Sequence, residues 1–420
     1  MQEVITNILG IFLGALLGIP AGLALNHAWD KRVDASRRKQ LLSALKGAVD
    51  KNGYLIEQIH EWVSKSGGTP FFNLDLTLLE STATIKYDLL ADIDLCREID
   101  FRRDILAFWS LYKHIRENRY DIVHTHSSKP GAIARLAAWC LHYPIIIHTI
   151  HGFSFHDFMP SWKRFFFILI EKALSVITDK IITVSKLNLR KLVSLRIAPL
   201  HKCVNIYSGI SFKKFDYGNY HRGKLRRQLG VNNETKIIGM VGRLSYQKSP
   251  ETLIQALPIV VENIHNIHVV LVGDGELRPM VEDLIKQLLL QEKVTILGFR
   301  NDIPSLLKEF DIYVLSSIYE GLGRSLTEAM YCKVPVVATE VEGVPELVKN
   351  HETGILVPPD DATFLANGVI YLLEHPDKAR IMAQKAHDKV TLNFGIEKMI
   401  EDIDELYHSY AKKFRRLKLK

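Results

Sequence analysis

Between residues 236 and 373, short apolar runs alternate with longer segments of helical composition. Each run is rich in β-branched residues and too short for a helix, so it predicts a strand that is buried on both faces. Strands that alternate with helices build a parallel sheet, because each parallel strand needs a crossover connection. The predicted strands are Ile237–Val241, His268–Val272, Val294–Leu297, Ile312–Leu315, Val334–Ala338 and Gly354–Val357. The predicted helices are Pro250–Val261, Glu276–Leu290, Ile303–Phe310, Ser325–Cys332, Val344–Lys349 and Ala362–Leu373.

A second group of apolar runs precedes this region. Its predicted strands are Asp121–His126, Pro144–Gly152, Ile181–Ser185 and Cys203–Ser208, with helices at Asp104–Asn118 and Ala132–Leu141. The chain therefore predicts two Rossmann-like, doubly wound domains, whose ligands bind at the carboxyl ends of the strands. We place these domains at 97–210 and 236–392, joined by a polar linker at 211–235 and followed by a helix and a basic tail at 393–420.

The segment Tyr319–Met330 reads YEGLGRSLTEAM and follows a predicted strand. Gly321 and Gly323 predict a tight loop, and Ser325 and Leu326 open a helix whose free N–H groups and dipole favour an anion. Glu320 precedes the helix and Glu328 lies about two turns into it, a span of roughly 12 Å. Carboxylates at both ends and an anion site between them suit a ligand with hydroxyl groups at both ends and phosphates in the middle. A nucleotide-diphosphate sugar has this arrangement.

Another apolar strand ends in a glycine turn at Gly242 and is followed by Arg243, Leu244 and Lys248. The two cations can be directed at one anionic ligand. After the next strand, Gly273 and Gly275 allow close approach of the backbone to a nucleotide.

Together these residues resemble the retaining GT-B glycosyltransferases of family 4. That family carries Gly-Arg-Leu-x3-Lys at the start of its donor domain and Glu-x7-Glu near its end, which match Gly242 to Lys248 and Glu320 with Glu328. The resemblance runs from about Ile99 to Tyr410. It implies a donor such as a UDP- or GDP-sugar, retention of anomeric configuration, and no metal or other cofactor.

The resemblance also assigns roles to residues. It implies that Arg243 and Lys248 hold the leaving diphosphate, and that Glu320 orients the sugar and offsets its positive charge. Glu328 would hold the ribose hydroxyls, and His151, in the pair His151–Gly152, would face the donor across the cleft. The further donor-binding residues are Gly242, Gly273, Gly275, Gly321, Gly323, Ser325 and Leu326. The segments 298–300 and 342–346 correspond to a base-contacting region and to a family segment of less defined chemistry.

The sequence around 124–156, HTHSSKPG and HTIHGFSFHD, is similar to transferases that build exopolysaccharide or O-antigen repeats on undecaprenyl carriers. This predicts a lipid-linked or polysaccharide acceptor. His124 and His126 either shape the acceptor side or are satisfied within their loop. A metal site among the histidines is disfavoured because no carboxylate completes the set. Asp92-Ile-Asp94 is read as a solvated turn rather than a metal-binding motif.

Trp162–Phe167, WKRFFF, has two open interpretations. Aromatic and cationic residues together are typical of segments that lie at a membrane surface. The alternative is a helix that buries its aromatic rings within the first domain.

The N-terminal 30 residues predict a transmembrane anchor. Val4–Leu25 is long and apolar enough to span a bilayer, and the cations begin at Lys31, which places the remainder in the bacterial cytoplasm at the inner membrane. A cleaved signal peptide is the rival, but the start of the chain lacks positive charge. The glycines Gly10, Gly14, Gly18 and Gly22 share a helix face and predict self-association. Residues 31–96 contain an amphipathic charged helix and a segment without assignment.

Composition limits the partners. The net charge of +7 allows an anionic substrate, a membrane or a nucleic acid, but no nucleic-acid-binding signature is present. The four cysteines have no metal-site spacing and indicate reduced thiols.

The N-terminal part departs from the family, because no opening strand with a Gly-Gly loop precedes residue 97, so the first domain is expected to be incomplete. Two hypotheses therefore stand: a membrane-anchored glycosyltransferase, and a non-catalytic, membrane-tethered nucleotide-sugar-binding scaffold. A nucleotide-sugar epimerase is a weaker third, disfavoured by the Glu320/Glu328 and Arg243/Lys248 pairs.

Overall fold

A computed structural model describes residues 100–118, 120–143, 145–216 and 223–418. The predicted anchor, its glycine face, the charged helix, Asp92-Ile-Asp94 and any opening strand lie outside these residues. Within the described ranges, no helix is both long enough and apolar enough to cross a membrane. The chain divides into two compact units, one that ends at Ile146 and one that begins at Ile147.

The described residues of the first unit form a helix, a strand and a second helix around a small apolar core. The elements are α1 Phe101–Asn118, β1 Val123–His126 and α2 Ser128–Cys140. Buried side chains of α1, such as Leu111 and Ile115, pack with Ile133 and Ala137 of α2. The predicted helix–strand–helix order is confirmed.

The second unit begins with a parallel sheet of β2, β3 and β4, in which β3 pairs with both neighbours. The elements of this part are β2 Ile146–Ile150, α3 Ser161–Val176, β3 Lys180–Thr183, α4 Lys186–Ser194 and β4 Cys203–Asn205. The side chains of β2 are all buried, which matches the apolar run in the sequence. Two short helices follow, α5 Lys213–Asp216 and α6 Lys224–Leu229.

A six-stranded parallel sheet with the order β10-β9-β8-β5-β6-β7 forms the rest of this unit. Its strands are β5 Lys236–Val241, β6 Ile267–Val272, β7 Val294–Gly298, β8 Ile312–Leu315, β9 Val336–Thr339 and β10 Ile355–Val357. The helices between them are α7 Pro250–Asn263, α8 Arg278–Gln287, α9 Ile303–Leu307, α10 Arg324–Tyr331, α11 Val344–Leu347 and α12 Ala362–Glu374. All six predicted strands are therefore present, and two apolar clusters cover the faces of the sheet.

Two helices complete the chain, α13 Pro376–Asn393 and α14 Ile396–Lys418. Ile210 exchanges backbone hydrogen bonds with the break between them: its N–H donates to Phe394 O, and its carbonyl accepts from the Ile396 N–H. The Tyr410 hydroxyl donates to Asp179 O at 3.4 Å, beside the start of β3. The last helix thus contacts the smaller sheet.

Helix α3 contradicts one of the two interpretations of the aromatic segment. Trp162 and Phe165 are each 68% exposed, and Phe166, Leu169 and Val176 are also exposed. Phe165, Phe166 and Leu169 lie three, four and seven residues after Trp162, so these four side chains share one helix face. The segment does form a helix, but most of its apolar face points to solvent rather than into the domain.

Candidate active site

The turn between β8 and α10 forms the centre of the site. Gly323 precedes the helix with φ 100°, a left-handed conformation that glycine adopts without strain. The first N–H groups of α10 have no acceptor within the helix, and the dipole adds positive charge there. The predicted strand–loop–helix order is present. The predicted depth of Glu328 was wrong, because the helix begins at Arg324 and Glu328 lies only about one turn into it.

Lys248 and Glu320 form a largely buried ion pair. The Lys248 ammonium bonds directly to Glu320 Oε1, and the two side chains are 16% and 8% exposed. The Ser317 hydroxyl donates a second hydrogen bond to the same oxygen, at 3.0 Å. The fold therefore holds a cation and a carboxylate side by side beyond the ends of β5 and β8.

Arg243 does not share this carboxylate. Its Nε lies 3.2 Å from Glu276 Oε2, and both side chains are about half exposed. Because exposed pairs contribute little free energy, the guanidinium can exchange Glu276 for an anionic ligand. Sequence reasoning expected both cations to face one ligand, and it did not identify Glu276.

The predicted donor-binding glycines lie where two loops pack tightly. A Cβ on Gly273 would lie 1.9 Å from Gly242 O, and a Cβ on Gly275 would lie 2.3 Å from Leu244 O. The Leu244 N–H donates to Asp274 O at 3.0 Å and connects the same loops. In this structure the glycines therefore provide close approach between two protein backbones at the strand ends, which gives them a packing role that the sequence did not reveal.

His151 lies at the carboxyl end of β2 and approaches the loop of the larger sheet. A Cβ on Gly321 would lie 1.7 Å from His151 O, so only glycine fits at position 321. Asn188 donates to Gly321 O at 3.3 Å and holds the same loop. The structure thus brings His151 and the Glu320–Gly321 segment together.

His151 is in part exposed to solvent, but the protein atoms around its ring desolvate it. This desolvation, together with the Arg324 guanidinium, lowers the pKa of His151 to about 4. Arg324 also pairs with Glu328 at 3.4 Å. Desolvation raises the pKa of Glu328, although Arg324 opposes the rise. Neutral His151 is therefore the form present near neutral pH.

Ser325 and Leu326 differ in what they can offer a ligand. The Tyr313 hydroxyl donates to Ser325 Oγ at 2.7 Å, so this oxygen already accepts one hydrogen bond. The Leu326 side chain is fully buried. Leu326 can therefore serve a ligand only through its backbone.

Two carboxylates after β9 join the loop region to α4. Glu346 accepts hydrogen bonds from the N–H groups of Lys186 and Leu187, at 3.0 and 2.6 Å, and from the Tyr207 hydroxyl at 2.8 Å. Glu342 binds Lys191 at 3.1 Å. Desolvation raises the pKa of Glu342, which the charge of Lys191 partly offsets. Glu346 thus caps a helix of the smaller sheet, which defines the chemistry of this segment.

The histidines of the first unit are arranged differently from His151. The rings of His124 and His126 stack with centroids 4.3 Å apart. In the described ranges, no group of three or more His, Cys, Asp or Glu side chains is arranged to hold a metal ion. Within the described ranges, Cys140 and Cys203 are not in disulfide bonds.

Sequence reasoning missed several residues of the site. Arg324 could have been found, because it directly precedes the predicted helix and lies four residues before Glu328, a spacing at which helical side chains meet. Lys191 and Glu342 are 151 positions apart, so no local pattern relates them. Glu276 likewise acquires its partner Arg243 only through folding, whereas Ser317 lies three residues before its partner Glu320.

Two family models match the chain. "Glycosyltransferase Family 4" matches residues 83–214, and "Glycosyl transferases group 1" matches residues 221–389. The two matches follow one another and cover both predicted domains.

Similar proteins are known in other organisms. An Escherichia coli UDP-Gal:alpha-D-GlcNAc-diphosphoundecaprenol alpha-1,3-galactosyltransferase is 33% identical over 329 residues, which are 74% of this chain and 81% of that protein. The Staphylococcus aureus capsular polysaccharide biosynthesis glycosyltransferase CapM is 25% identical over 76% of this chain and 87% of its own length. The crystal structure of Anabaena HepE in complex with UDP and glucose has a TM-score of 0.66 and 25% identity, and covers 72% of this chain and 82% of that one.

Proposed function

This chain belongs to the group 1, family 4 glycosyltransferases of GT-B fold, and from that membership we propose that it moves a sugar, with retention of configuration, from a nucleotide-diphosphate sugar to a lipid-linked glycan. The relatives support a glycosyltransferase of glycan synthesis that uses nucleotide-sugar donors. The relatives are named as transferases, so the non-catalytic scaffold is not favoured.

The contact between Lys248 and Glu320 carries the proposal. A ligand that binds both groups must place an anionic group directly beside hydroxyl groups. A sugar diphosphate has this arrangement, because its phosphate is bonded to C1 and its hydroxyls surround the ring. The free N–H groups of α10 lie at the end of the same loop and can bind a second phosphate oxygen.

The reaction breaks the bond between C1 of the sugar and the diphosphate oxygen, forms a bond between C1 and an acceptor hydroxyl oxygen, and passes the hydroxyl proton to the departing diphosphate. Negative charge grows on the departing diphosphate, where Lys248 and Arg243 stabilise it. Positive charge grows on the sugar ring, where the carboxylate of Glu320 offsets it. Neutral His151 can donate a hydrogen bond to the sugar without adding a charge.

Glu328 would bind the ribose hydroxyls, since it lies one turn inside α10 and retains 17% exposure. The backbone of Gly242, Gly273, Gly275, Gly321 and Gly323, with Ser325 and Leu326, would line the remainder of the donor site. This assignment rests on the family motifs and on the position of these residues at the strand ends.

Two observations support a lipid-linked acceptor. The E. coli relative is named for a diphosphoundecaprenol substrate. In addition, α3 presents its exposed apolar face next to cations such as Lys163, whose ammonium lies 5.4 Å from the Trp162 ring centroid. An apolar face with Trp and Lys is suited to the boundary of an anionic bilayer.

We further propose, on the sequence alone, that the N-terminal segment anchors the enzyme in the bacterial inner membrane with its catalytic domains in the cytoplasm. Self-association through Gly10, Gly14, Gly18 and Gly22 belongs to the same proposal. Proteolysis of spheroplasts and of inverted vesicles locates the domains. Cysteine crosslinking at Gly14 tests the association.

The deciding experiment measures sugar release and transfer from a panel of UDP- and GDP-sugars to GlcNAc-diphosphoundecaprenol in membranes. We expect turnover with one donor, and a loss of about 100-fold or more in kcat for Arg243→Ala/Lys248→Ala. Arg380→Ala, which removes a cation from an exposed pair with Asp377, is the matched control. Absence of turnover with every donor would refute the proposal.

Two further measurements test whether the anomeric configuration is retained and whether a metal ion is required. The NMR coupling constant of the new anomeric proton should report the same configuration as in the donor, and inversion would contradict retention. We expect full activity after removal of divalent cations with EDTA. A loss that Mg²⁺ or Mn²⁺ restores would show that a metal is required.

A further inference from the structure

Four aromatic side chains meet where three loops of the second unit converge. The His156 ring stacks on the Tyr319 ring, with centroids 4.5 Å apart and an interplanar angle of 5°. The Tyr246 ring lies 6.2 Å from His156, and the Phe158 ring 6.5 Å from it. His156 and Phe158 follow β2, Tyr246 follows β5 and Tyr319 follows β8. We call these four residues the aromatic platform.

The platform is held beside the Lys248–Glu320 pair. Tyr319 directly precedes Glu320, and Tyr246 lies two residues before Lys248. The Gln247 side chain donates to Tyr319 O at 3.2 Å, and the Ile318 N–H donates to Gln247 O at 2.9 Å. These bonds fix the two loops to each other, so a ligand on the platform lies next to the proposed reaction centre.

The surface of the platform is uncharged and partly open. Tyr246 is 52% exposed and Phe158 is 48% exposed. Desolvation lowers the pKa of His156, with Asp157 opposing and Lys191 adding to this effect. The imidazole is consequently neutral near neutral pH, and none of the four rings carries a charge.

Such a surface matches a sugar ring better than a phosphate. The face of an aromatic ring carries partial negative charge, and its edge partial positive charge. The C–H bonds on one side of a pyranose present the complementary partial positive charge, while its hydroxyls point outward to polar groups. A diphosphate needs cations, which lie in Arg243, Lys248 and the start of α10 rather than in the platform.

We propose that Tyr246, His156 and Phe158 bind the terminal sugar ring of the acceptor glycan by stacking, and so help to determine which acceptor is used. This inference rests on the proposed function, because it assigns the second substrate to one side of the same centre. Tyr319 packs against the His156 ring and supports it. Because Tyr319 directly precedes Glu320, it sets the distance between the stacked acceptor sugar and the donor sugar.

The test separates KM for the acceptor from KM for the donor. With GlcNAc-diphosphoundecaprenol as the acceptor and the active donor from the panel, we expect Tyr246→Ala and Phe158→Ala each to raise the acceptor KM about tenfold. The donor KM should remain unchanged. Tyr246→Phe should keep most of the affinity, since it retains the ring. Phe364→Ala, which removes an exposed ring on α12, is the control.

Two outcomes would overturn the inference. One is an unchanged acceptor KM in both alanine variants, and the other is a raised donor KM, which would assign the platform to the nucleotide or the donor sugar. Saturation-transfer NMR with methyl α-N-acetylglucosaminide gives a readout independent of turnover. We expect transfer to the sugar protons in the wild type and a reduced signal in Tyr246→Ala. If the wild type lacks turnover, the proposed function fails, and this signal alone decides whether the platform binds sugar.

Discussion

At the scale of single residues, the Lys248–Glu320 pair gives the sharpest prediction. Lys248→Met should remove the cation that is bonded to the Glu320 carboxylate, which is 8% exposed. An uncompensated buried charge costs about 3 kcal/mol in the free energy of unfolding. We therefore expect both a lower melting temperature and a large loss of kcat.

Adding Glu320→Gln to Lys248→Met separates these effects. The double variant no longer buries an unpaired charge, so it should regain part of its stability by denaturant unfolding while it remains inactive. Equal stability of the single and double variants would show that the pair is not electrostatically coupled. Arg380→Met, in an exposed pair, should change stability by less than about 0.5 kcal/mol.

The lowered pKa of His151 predicts that the stability of the fold depends on pH. Its pKa is about 4 in the fold, compared with 6.5 in an unperturbed histidine. The unfolded chain therefore binds more protons between these values, so the stability contributed by neutral His151 is present above about pH 6.5 and declines as the pH falls toward 4. Between pH 7 and pH 5, the wild type should lose more thermal stability than His151→Gln.

The lowered pKa of His151 also predicts how activity depends on pH. Because His151 acts as a neutral group, we expect that it causes no inflection near pH 6.5 in the pH profile of kcat. The profiles of the wild type and of His151→Gln should therefore have the same shape in this range. An inflection that only the wild type shows would mean that His151 titrates near its ordinary pKa. His265→Gln, at an exposed histidine in the loop after α7, should leave both pH profiles unchanged.

At the scale of elements, the loop from Ser316 to Gly323 depends on close approach to β2. Gly321→Ala would place a Cβ 1.7 Å from His151 O, so the loop must move away. We expect loss of transfer activity and a lower melting temperature. At Gly152 a Cβ would have contacts no closer than 3.8 Å, so Gly152→Ala should fold with near wild-type stability. Equal melting temperatures for the two variants would contradict this account.

Helix α3 yields a second prediction at this scale. Phe165→Ser/Phe166→Ser should raise KM for the long-chain undecaprenyl acceptor several-fold, because the exposed rings would no longer enter the bilayer boundary. KM for a short-chain, water-soluble acceptor should not change. Leu392→Ser, at a 79% exposed leucine on α13, is the matched control. Equal increases with both acceptors would indicate damage to the active site rather than loss of a membrane contact.

At the scale of the whole molecule, hydrogen bonds and ion pairs join the smaller and larger sheets of the second unit. Glu346 is central, because it caps α4 with two backbone hydrogen bonds and accepts a third from Tyr207. Glu346→Ala should lower the free energy of unfolding by about 2 kcal/mol, measured with urea. Glu352→Ala, at a carboxylate in an exposed pair with Lys349, should have little effect. A Glu346 variant as stable as the wild type would show that apolar packing alone joins the sheets.

The strands and the site motifs could be predicted from the sequence because they rest on local information. Apolar runs such as Ile237–Val241 indicate buried strands, and glycine-rich turns indicate where those strands end. Family spacing then identified Lys248, Glu320 and Glu328 before their positions in space were known. The depth of Glu328 in α10 was misjudged because all the residues from Glu320 to Glu328 were counted as helical, whereas those from Glu320 to Gly323 form the loop before the helix.

Partner choice was decided only by the tertiary structure. Lys248 pairs with Glu320 and Arg243 with Glu276, although the sequence suggested one shared ligand for both cations. Gly321 needs its small size because His151 O lies against it, and α3 exposes rings that its composition equally allowed to be buried. Periodicity and turn chemistry act over a few residues and are written in the chain. Contacts between residues far apart in the sequence depend on how the elements pack, and only folding determines them.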